Sequence, residues 1–221
     1  MERAQRRLLV IVCRNPDVGS VKTRLIPALG AAGARSLYRA FLQDLRDRFE
    51  TEAYDLRWAH TPEGGPLPAT FTCGHSLAQE GPDLGHRLLN IFHWAAEAGY
   101  DATTVISSDV PQLSRAVVDA AFAALGACDV VLAPSEDGGY HLVGMCRPHD
   151  IFTMVPMSTP HVLAQTRAAV AGHCLSLHLL AEDFDVDLPE DLSRLGRLLD
   201  ADLLPRQSHT ARALRRLSLR D

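Results

Sequence analysis

Apolar positions along this chain form two kinds of stretch that alternate from end to end. Leu8 to Val12 is an unbroken apolar run, which suits a strand buried on both faces of a sheet. Farther on, Leu37, Phe41, Leu45 and Phe49 recur at helical spacing with Arg39, Asp44, Asp47 and Arg48 between them, so an amphipathic helix packs on that sheet. Tyr54 to His60 predicts a second strand. The segment 61–74, broken by Pro62, Gly64, Gly65, Pro66 and Pro68, predicts irregular chain. From Gln79 a loop leads into a helix with the apolar stripe Leu84, Leu88, Ile91, Phe92 and Ala95, which ends near Gly99.

The same alternation continues. Strands are predicted over Thr103–Ser107, Asp129–Ala133, Tyr140–Met145 and Leu175–Leu179, and helices over 114–125 (capped by Ser114), 159–171 and 189–199. Strands that alternate with helices of this length imply βαβ units, a mainly parallel central sheet and a three-layer α/β/α sandwich, with functional loops at the strands' carboxyl ends. Residues 1–200 read as one domain. Residues 201–221, with Arg206, Arg212, Arg215, Arg216 and Arg220 around Leu214 and Leu217, read as a basic terminal helix or frayed tail.

Composition narrows the function classes. A chain of 221 residues with 47% hydrophobic and 22% charged residues can bury a substantial core, and a net charge of -5 argues against an extended nucleic-acid surface. The five cysteines (Cys13, Cys73, Cys128, Cys146 and Cys174) are widely spaced with no C-x-x-C, so neither a disulfide framework nor a zinc knuckle is expected, and a reducing cytoplasm is the simplest home. No apolar run approaches the ~20 residues of a membrane span, and MERAQRR leads into a buried strand rather than a signal peptide.

Three of the predicted strand-end loops carry polar groups. The first, within LLVIVCRNPDVGSVKTRL, brings Lys22 and Arg24 close together after Gly19 and Ser20, whose backbone N–H groups are bare, and this is a way to hold phosphate. A solvated basic turn has the same sequence, and the Walker spacing is absent. The second loop offers Asp109 before Pro111, placed to hold a divalent cation against phosphate oxygens or to cap the next helix. The third, Asp137, Gly138, Gly139 and Tyr140, permits a close ligand approach or a plain hairpin. Asp183, Asp185, Asp187, Glu190 and Asp191 concentrate acid near the end. Asp185 and Asp187, two apart, could share one side of an extended segment, while Asp191 suits the N-terminus of the helix that begins at Pro189. The histidines have no ligand spacing, and no G-x-S-x-G elbow is present.

VGSVKTRL, QEGPDLGHR, SSDVPQL, PSEDGGYHLVG, MST at 157–159 and DVDLPEDL, in that order, resemble a bacterial family of GT-A-fold, glycosyltransferase-like proteins. The family is known as radical-SAM/selenodomain-associated transferase 1, and is related to the 2-phospho-L-lactate guanylyltransferase CofC and to MobA-type nucleotidyltransferases. The likeness spans roughly residues 7–200. Its K-T-R-L falls on Lys22 to Leu25, its G-x-D-x-P on Ser107 to Pro111, its D-G-G-Y on Asp137 to Tyr140 and its D-x-D-x-P-E-D on Asp185 to Asp191. Ser107 and Ser108 stand where the family usually has Gly and Thr, Gln112 where it has Asp, and Met157 where it has Trp.

The resemblance implies a GT-A fold and a Mg2+- or Mn2+-dependent transferase with a nucleotide substrate. Nucleotidyl transfer from an NTP to a small phosphorylated or hydroxyl acceptor is the favoured reading. Glycosyl transfer from an NDP-sugar is an alternative, and a catalytically silent nucleotide- or partner-binding protein is another. Gly19, Ser20, Lys22, Thr23, Arg24 and Ser108 are expected at the nucleotide, and Lys22, Arg24 and Asp109 at the chemistry. Asp109 with Asp187 or Asp185 is expected at the metal, and Asp137, Gly138, Gly139, Tyr140, Ser158 and Thr159 at the acceptor. No nucleic acid or membrane partner is expected.

Overall fold

The computed structural model describes residues 5–218 except 73, 202, 203 and 206, so Cys73, Arg206 and Arg220 lie outside the described residues. The strands are β1 (Arg7–Cys13), β2 (Asp55–His60), β3 (Ser76–Ala78), β4 (Ala102–Ser107), β5 (Val130–Pro134), β6 (Tyr140–Met145) and β7 (Leu177–Leu179). The helices are α1 (Ile26–Phe49), α2 (Ala69–Thr72), α3 (Leu84–Glu97), α4 (Arg115–Ala124), α5 (Val162–Gly172), α6 (Pro189–Asp200) and α7 (His209–Ser218). One seven-stranded sheet has the order β3-β2-β1-β4-β6-β5-β7. Of its strands only β6 is reversed, pairing antiparallel with both β4 and β5.

Alternation along β1 builds both layers. Leu9, Ile11 and Cys13 face a core shared with Leu37, Phe41 and Leu45 of α1, Phe122 of α4 and Leu195 of α6. Leu8 and Val10 face the other core, with Leu88, Ile91 and Phe92 of α3 and Val170 of α5. Leu8 to Ile11 are fully buried, each worth about 1.5–3 kcal/mol of hydrophobic stabilisation. Among the described residues no helix is long and apolar enough to cross a membrane.

Several boundaries differ from the expected ones, for local reasons. The stretch predicted as irregular holds a 3-10 turn at Pro62–Gly64 and the four-residue α2, and β3 follows it. β3 pairs with β2 over three residues at the sheet edge, too short for an alternating pattern to appear. α1 starts at Ile26, with Pro27 in its first turn and a kink at Gly30, whose φ of 68° breaks the helical path. α5 starts at Val162, because Ser158 takes a left-handed φ of 66° and Pro160 follows.

The C-terminal helix docks on α1 through a buried acid. Asp44 accepts hydrogen bonds from the backbone N–H groups of His209 (2.7 Å) and Thr210 (2.8 Å), two of the donors a helix start leaves open. Ala211 and Ala213 then pack inward while Arg212, Arg215 and Arg216 stay exposed. Asp44→Ala leaves both buried donors without a partner. It is expected to cost about 2 kcal/mol or more, read as a lower urea midpoint with an unchanged m-value.

Candidate functional site

The reversal of β6 brings its amino end, with Tyr140 and His141, to the edge where β1 and β4 finish. The chain's first crossovers run outward from β1 to β2 and β3, and the return to β4 lands on the other side of β1. That switch point is where an open α/β sheet leaves a crevice. A cavity of about 510 Å3 opens there, lined by the end of β1, the 20–24 loop, Ser107 to Asp109, the start of β6, Ser158, Asp185 and Asp187.

Lys22 is the focus of its charged wall. Its ammonium donates to Asp109 Oδ1 at 2.7 Å, to Asp187 Oδ1 at 2.8 Å and to the Val186 carbonyl at 2.8 Å, and its side chain is only 4% exposed. Burial alone would lower the lysine pKa, but the carboxylates of Asp109 and Asp187 outweigh that and hold it above the usual range. Lys22 itself has φ 50° and ψ 47°, a left-handed conformation that costs a side-chain-bearing residue roughly 1–2 kcal/mol and that aims the side chain inward. Arg24 stands beside it, 71% exposed and 3.8 Å from Asp187 Oδ2.

Backbone and side-chain bonds weld the acidic loops to each other. The Val186 N–H donates to the Asp109 carbonyl at 2.9 Å, and Gln112 Nε2 donates to Asp183 Oδ1 at 3.0 Å and to the Phe184 carbonyl at 2.6 Å. Asp191 accepts from the N–H groups of Asp187 and Leu188 at the start of α6. Beneath the first loop, the buried Tyr38 hydroxyl accepts from the Arg14 N–H at 3.0 Å and shares a 2.8 Å hydrogen bond with Ser108. Burial, with Cys13 and Asp109 nearby, keeps that phenol well above its usual pKa and therefore protonated.

Of the residues singled out from the sequence, Ser20, Lys22, Thr23, Arg24, Ser108, Asp109, Tyr140, Ser158, Asp185 and Asp187 share the cavity wall. Gly19, Asp137, Gly138, Gly139 and Thr159 lie outside it. Asp137 accepts from the Gly139 N–H at 2.9 Å within the β5–β6 turn, and Thr159 donates to the Pro156 carbonyl at 3.2 Å. Gly138, at φ 88°, lies so close to the 158–160 turn that a Cβ would sit 2.1 Å from the Pro160 carbonyl oxygen. Arg14, Tyr38, Thr61, Gln79, Arg87 and His141 also line the cavity, although none of them stands out as a site residue in the sequence. Gln79 and Arg87 sit inside QEGPDLGHR, so the motif held a signal for them. Tyr38 is a polar tip on an otherwise apolar helix stripe.

Asp185 behaves differently from its neighbours. Burial first, then the fields of Asp109, Asp137 and Asp187, raise its carboxyl to about 7, against the help of a hydrogen bond with Ser135. Among the described residues no set of three or more His, Cys, Asp or Glu side chains is arranged to hold a metal ion. Asp109 and Asp187 converge on the Lys22 ammonium, which fills the point between their carboxylates.

A family model described as "Uncharacterized protein conserved in bacteria (DUF2064)" matches residues 48–159. A 3-phospho-D-glycerate guanylyltransferase of Phenylobacterium zucineum (strain HLK1) is 30% identical over 179 residues, which cover 78% of this chain and 73% of that one. A crystal structure from Desulfovibrio desulfuricans G20, named for the nucleotide-diphospho-sugar transferases, superposes with a TM-score of 0.90 at 28% identity over 97% of this chain and 96% of that one. A 4-diphosphocytidyl-2C-methyl-D-erythritolsynthase from Anaerococcus prevotii DSM 20548 shares the fold, with a TM-score of 0.58 at 8% identity over 89% of this chain and 96% of that one.

Because the folded protein holds the Asp185 proton up to about pH 7 while the unfolded chain releases it near 3.8, stability falls as pH rises between those values. Asp185→Asn removes this penalty. It is expected to stabilise the protein by ~2 kcal/mol more at pH 8 than at pH 5, measured by urea unfolding at both.

Proposed function

The chain belongs to the DUF2064 family and is a transferase of GT-A-like fold, and from that premise we propose that it transfers a nucleotidyl group from an NTP to a small acceptor. The observation that carries the reading is the meeting of Lys22, Asp109 and Asp187 on the wall of a cavity that also takes Ser20, Thr23, Arg24 and Ser108. The acceptor's phosphate or hydroxyl oxygen attacks the α-phosphorus, the bond to the β-phosphate oxygen breaks, and pyrophosphate leaves with the electron pair, a hydroxyl acceptor's proton passing to the pyrophosphate or to water.

Ser20 and Thr23 offer donors at the cavity wall for the triphosphate, and Arg24 meets the negative charge that grows as pyrophosphate departs, joined by Lys22 once Asp109 and Asp187 turn from its ammonium to a bound cation. Asp109 and Asp187, which bracket the Lys22 ammonium in the ligand-free protein, would turn to hold Mg2+ or Mn2+ when the nucleotide brings it. When bound, that ion would neutralise charge on the phosphate oxygens and so ease the nucleophile's approach to phosphorus. Asp185, with its hydrogen bond to Ser135 and its weaker acidity, lines the same cavity beside that pair. Tyr140 and Ser158 line the acceptor side. The guanylyltransferase relative's name supports a phosphorylated acceptor, and 3-phospho-D-glycerate with GTP is the first pair to try. The likeness to the Desulfovibrio structure supports a second reading, sugar transfer from an NDP-sugar through the same metal pair.

Incubation with each NTP, Mg2+ and 3-phospho-D-glycerate should release pyrophosphate, and each NDP-sugar in parallel should release no NDP. Lys22→Met is expected to lower kcat about a hundredfold or more, and Asp109→Asn to abolish the response to Mg2+. NDP release without pyrophosphate would instead establish sugar transfer. Nucleotide affinity that ignores both Mg2+ and Asp109→Asn, with no turnover, would make the protein a silent binder.

A further inference from the structure

The cavity has a second cationic wall, on the other face of the sheet from Lys22. Lys22 belongs to the α1 side, its ammonium 5.9 Å from the Phe41 ring centroid. Arg87 rises from α3, whose Leu88 belongs to the opposite core, and it lines the cavity between Leu84 and Leu88. Its guanidinium is held at two points: Nε donates to the Gly81 carbonyl at 3.0 Å, and Nη2 donates to Glu63 Oε1 at 3.0 Å. Gly81 has φ 134°, and a Cβ there would sit 2.9 Å from His86 Cβ and 3.0 Å from the Arg87 nitrogen, so a glycine is what lets its carbonyl orient the arginine.

The two cationic walls differ in how firmly their charge is already answered. Lys22 is buried between two carboxylates that the fold holds in place. The Arg87 side chain is 19% exposed and its carboxylate partner, on the Pro62–Gly64 turn, is 70% exposed. A carboxylate this exposed gains little from the pair, since water competes for it, and it can give way to another anion at the arginine. A guanidinium anchored through Nε and facing a cavity presents the fork that matches a carboxylate or a phosphate.

We propose that Arg87 receives an anionic group of the acceptor, a carboxylate or a phosphate ester, and that Glu63 occupies it as a stand-in carboxylate in the substrate-free protein. This rests on the nucleotidyl-transfer reading, with the nucleotide's phosphates at the Lys22 wall and the acceptor's charge at the Arg87 wall. The carboxylate of Glu63 must then leave the arginine as the acceptor enters.

The test is calorimetric titration of the wild type, Arg87→Met and Glu63→Gln with 3-phospho-D-glycerate, D-glycerate and inorganic phosphate, and separately with GTP and the other NTPs plus Mg2+. Arg87→Met should weaken 3-phospho-D-glycerate roughly tenfold or more and leave NTP affinity within about twofold. Glu63→Gln should tighten the same ligand about two- to fivefold, because it removes a competitor. These opposite signs separate an exchanged ion pair from a structural one, in which both variants would weaken binding or neither would change it. Whether D-glycerate or inorganic phosphate follows the same pattern tells which end of the acceptor Arg87 holds. Loss of NTP affinity in Arg87→Met, weakening in both variants, or a wild type that binds none of the three anions would overturn the proposal. A wild type that binds no NTP, with the anion pattern intact, would instead overturn the nucleotidyl-transfer reading and leave the Arg87 site standing.

Discussion

A buried ammonium is tolerable only where opposite charge meets it, and in this protein that requirement falls on Lys22. Its Nζ lies 2.7 Å from Asp109 and 2.8 Å from Asp187, so one cation ties together the loop after β1, the loop after β4 and the segment before α6. The left-handed backbone at Lys22 and the bond from Val186 N–H to the Asp109 carbonyl belong to the same knot. Cation and anions thus keep each other in place, and the acids are held together without mutual repulsion dominating.

The rest of the architecture gives that knot a cavity to face. Three neighbouring elements point the same edge at it: the carboxyl ends of β1 and β4 and the amino end of the reversed β6. Both cores reach this edge, since Val12 and Leu88 line the cavity from one face and Cys13 and Tyr38 from the other. A ligand lying there crosses from the α1 layer to the α3 layer. Gly138 lets the 158–160 turn press against the β5–β6 hairpin, and that contact brings Ser158 to the wall although Asp137 and Gly139 stay in the turn.

The polar groups were legible in the sequence to different degrees. Asp109 stands out because it ends a strand-like run with charge, while Lys22, in a glycine-containing loop, and Asp187, in an acidic stretch, could each be read as merely solvated. Asp191 stands out because an acid at the start of a helix has an evident partner in the open N–H groups. The D-G-G-Y turn was visible as a place of close approach, but what approaches is Pro160 of the same chain. Tyr38 and Gln79 were hidden for a different reason. One sits on an apolar helix face and the other bonds to the Ala59 and Cys13 carbonyls, so each looks structural until its neighbours from distant segments are known.

From the sequence alone come the alternating strands and helices, the two buried faces of β1, the loops that carry charge and the family likeness. These follow from periodicity and from residues within one or two turns of each other. Only the tertiary structure decided that Lys22 is itself enclosed by Asp109 and Asp187, that Asp185 is the weakly acidic member of the cluster, and that Arg87 faces the same cavity from the opposite layer. Charge compensation and burial depend on distances between residues far apart in the chain, and those distances exist only once the sheet has brought its strand ends to one edge.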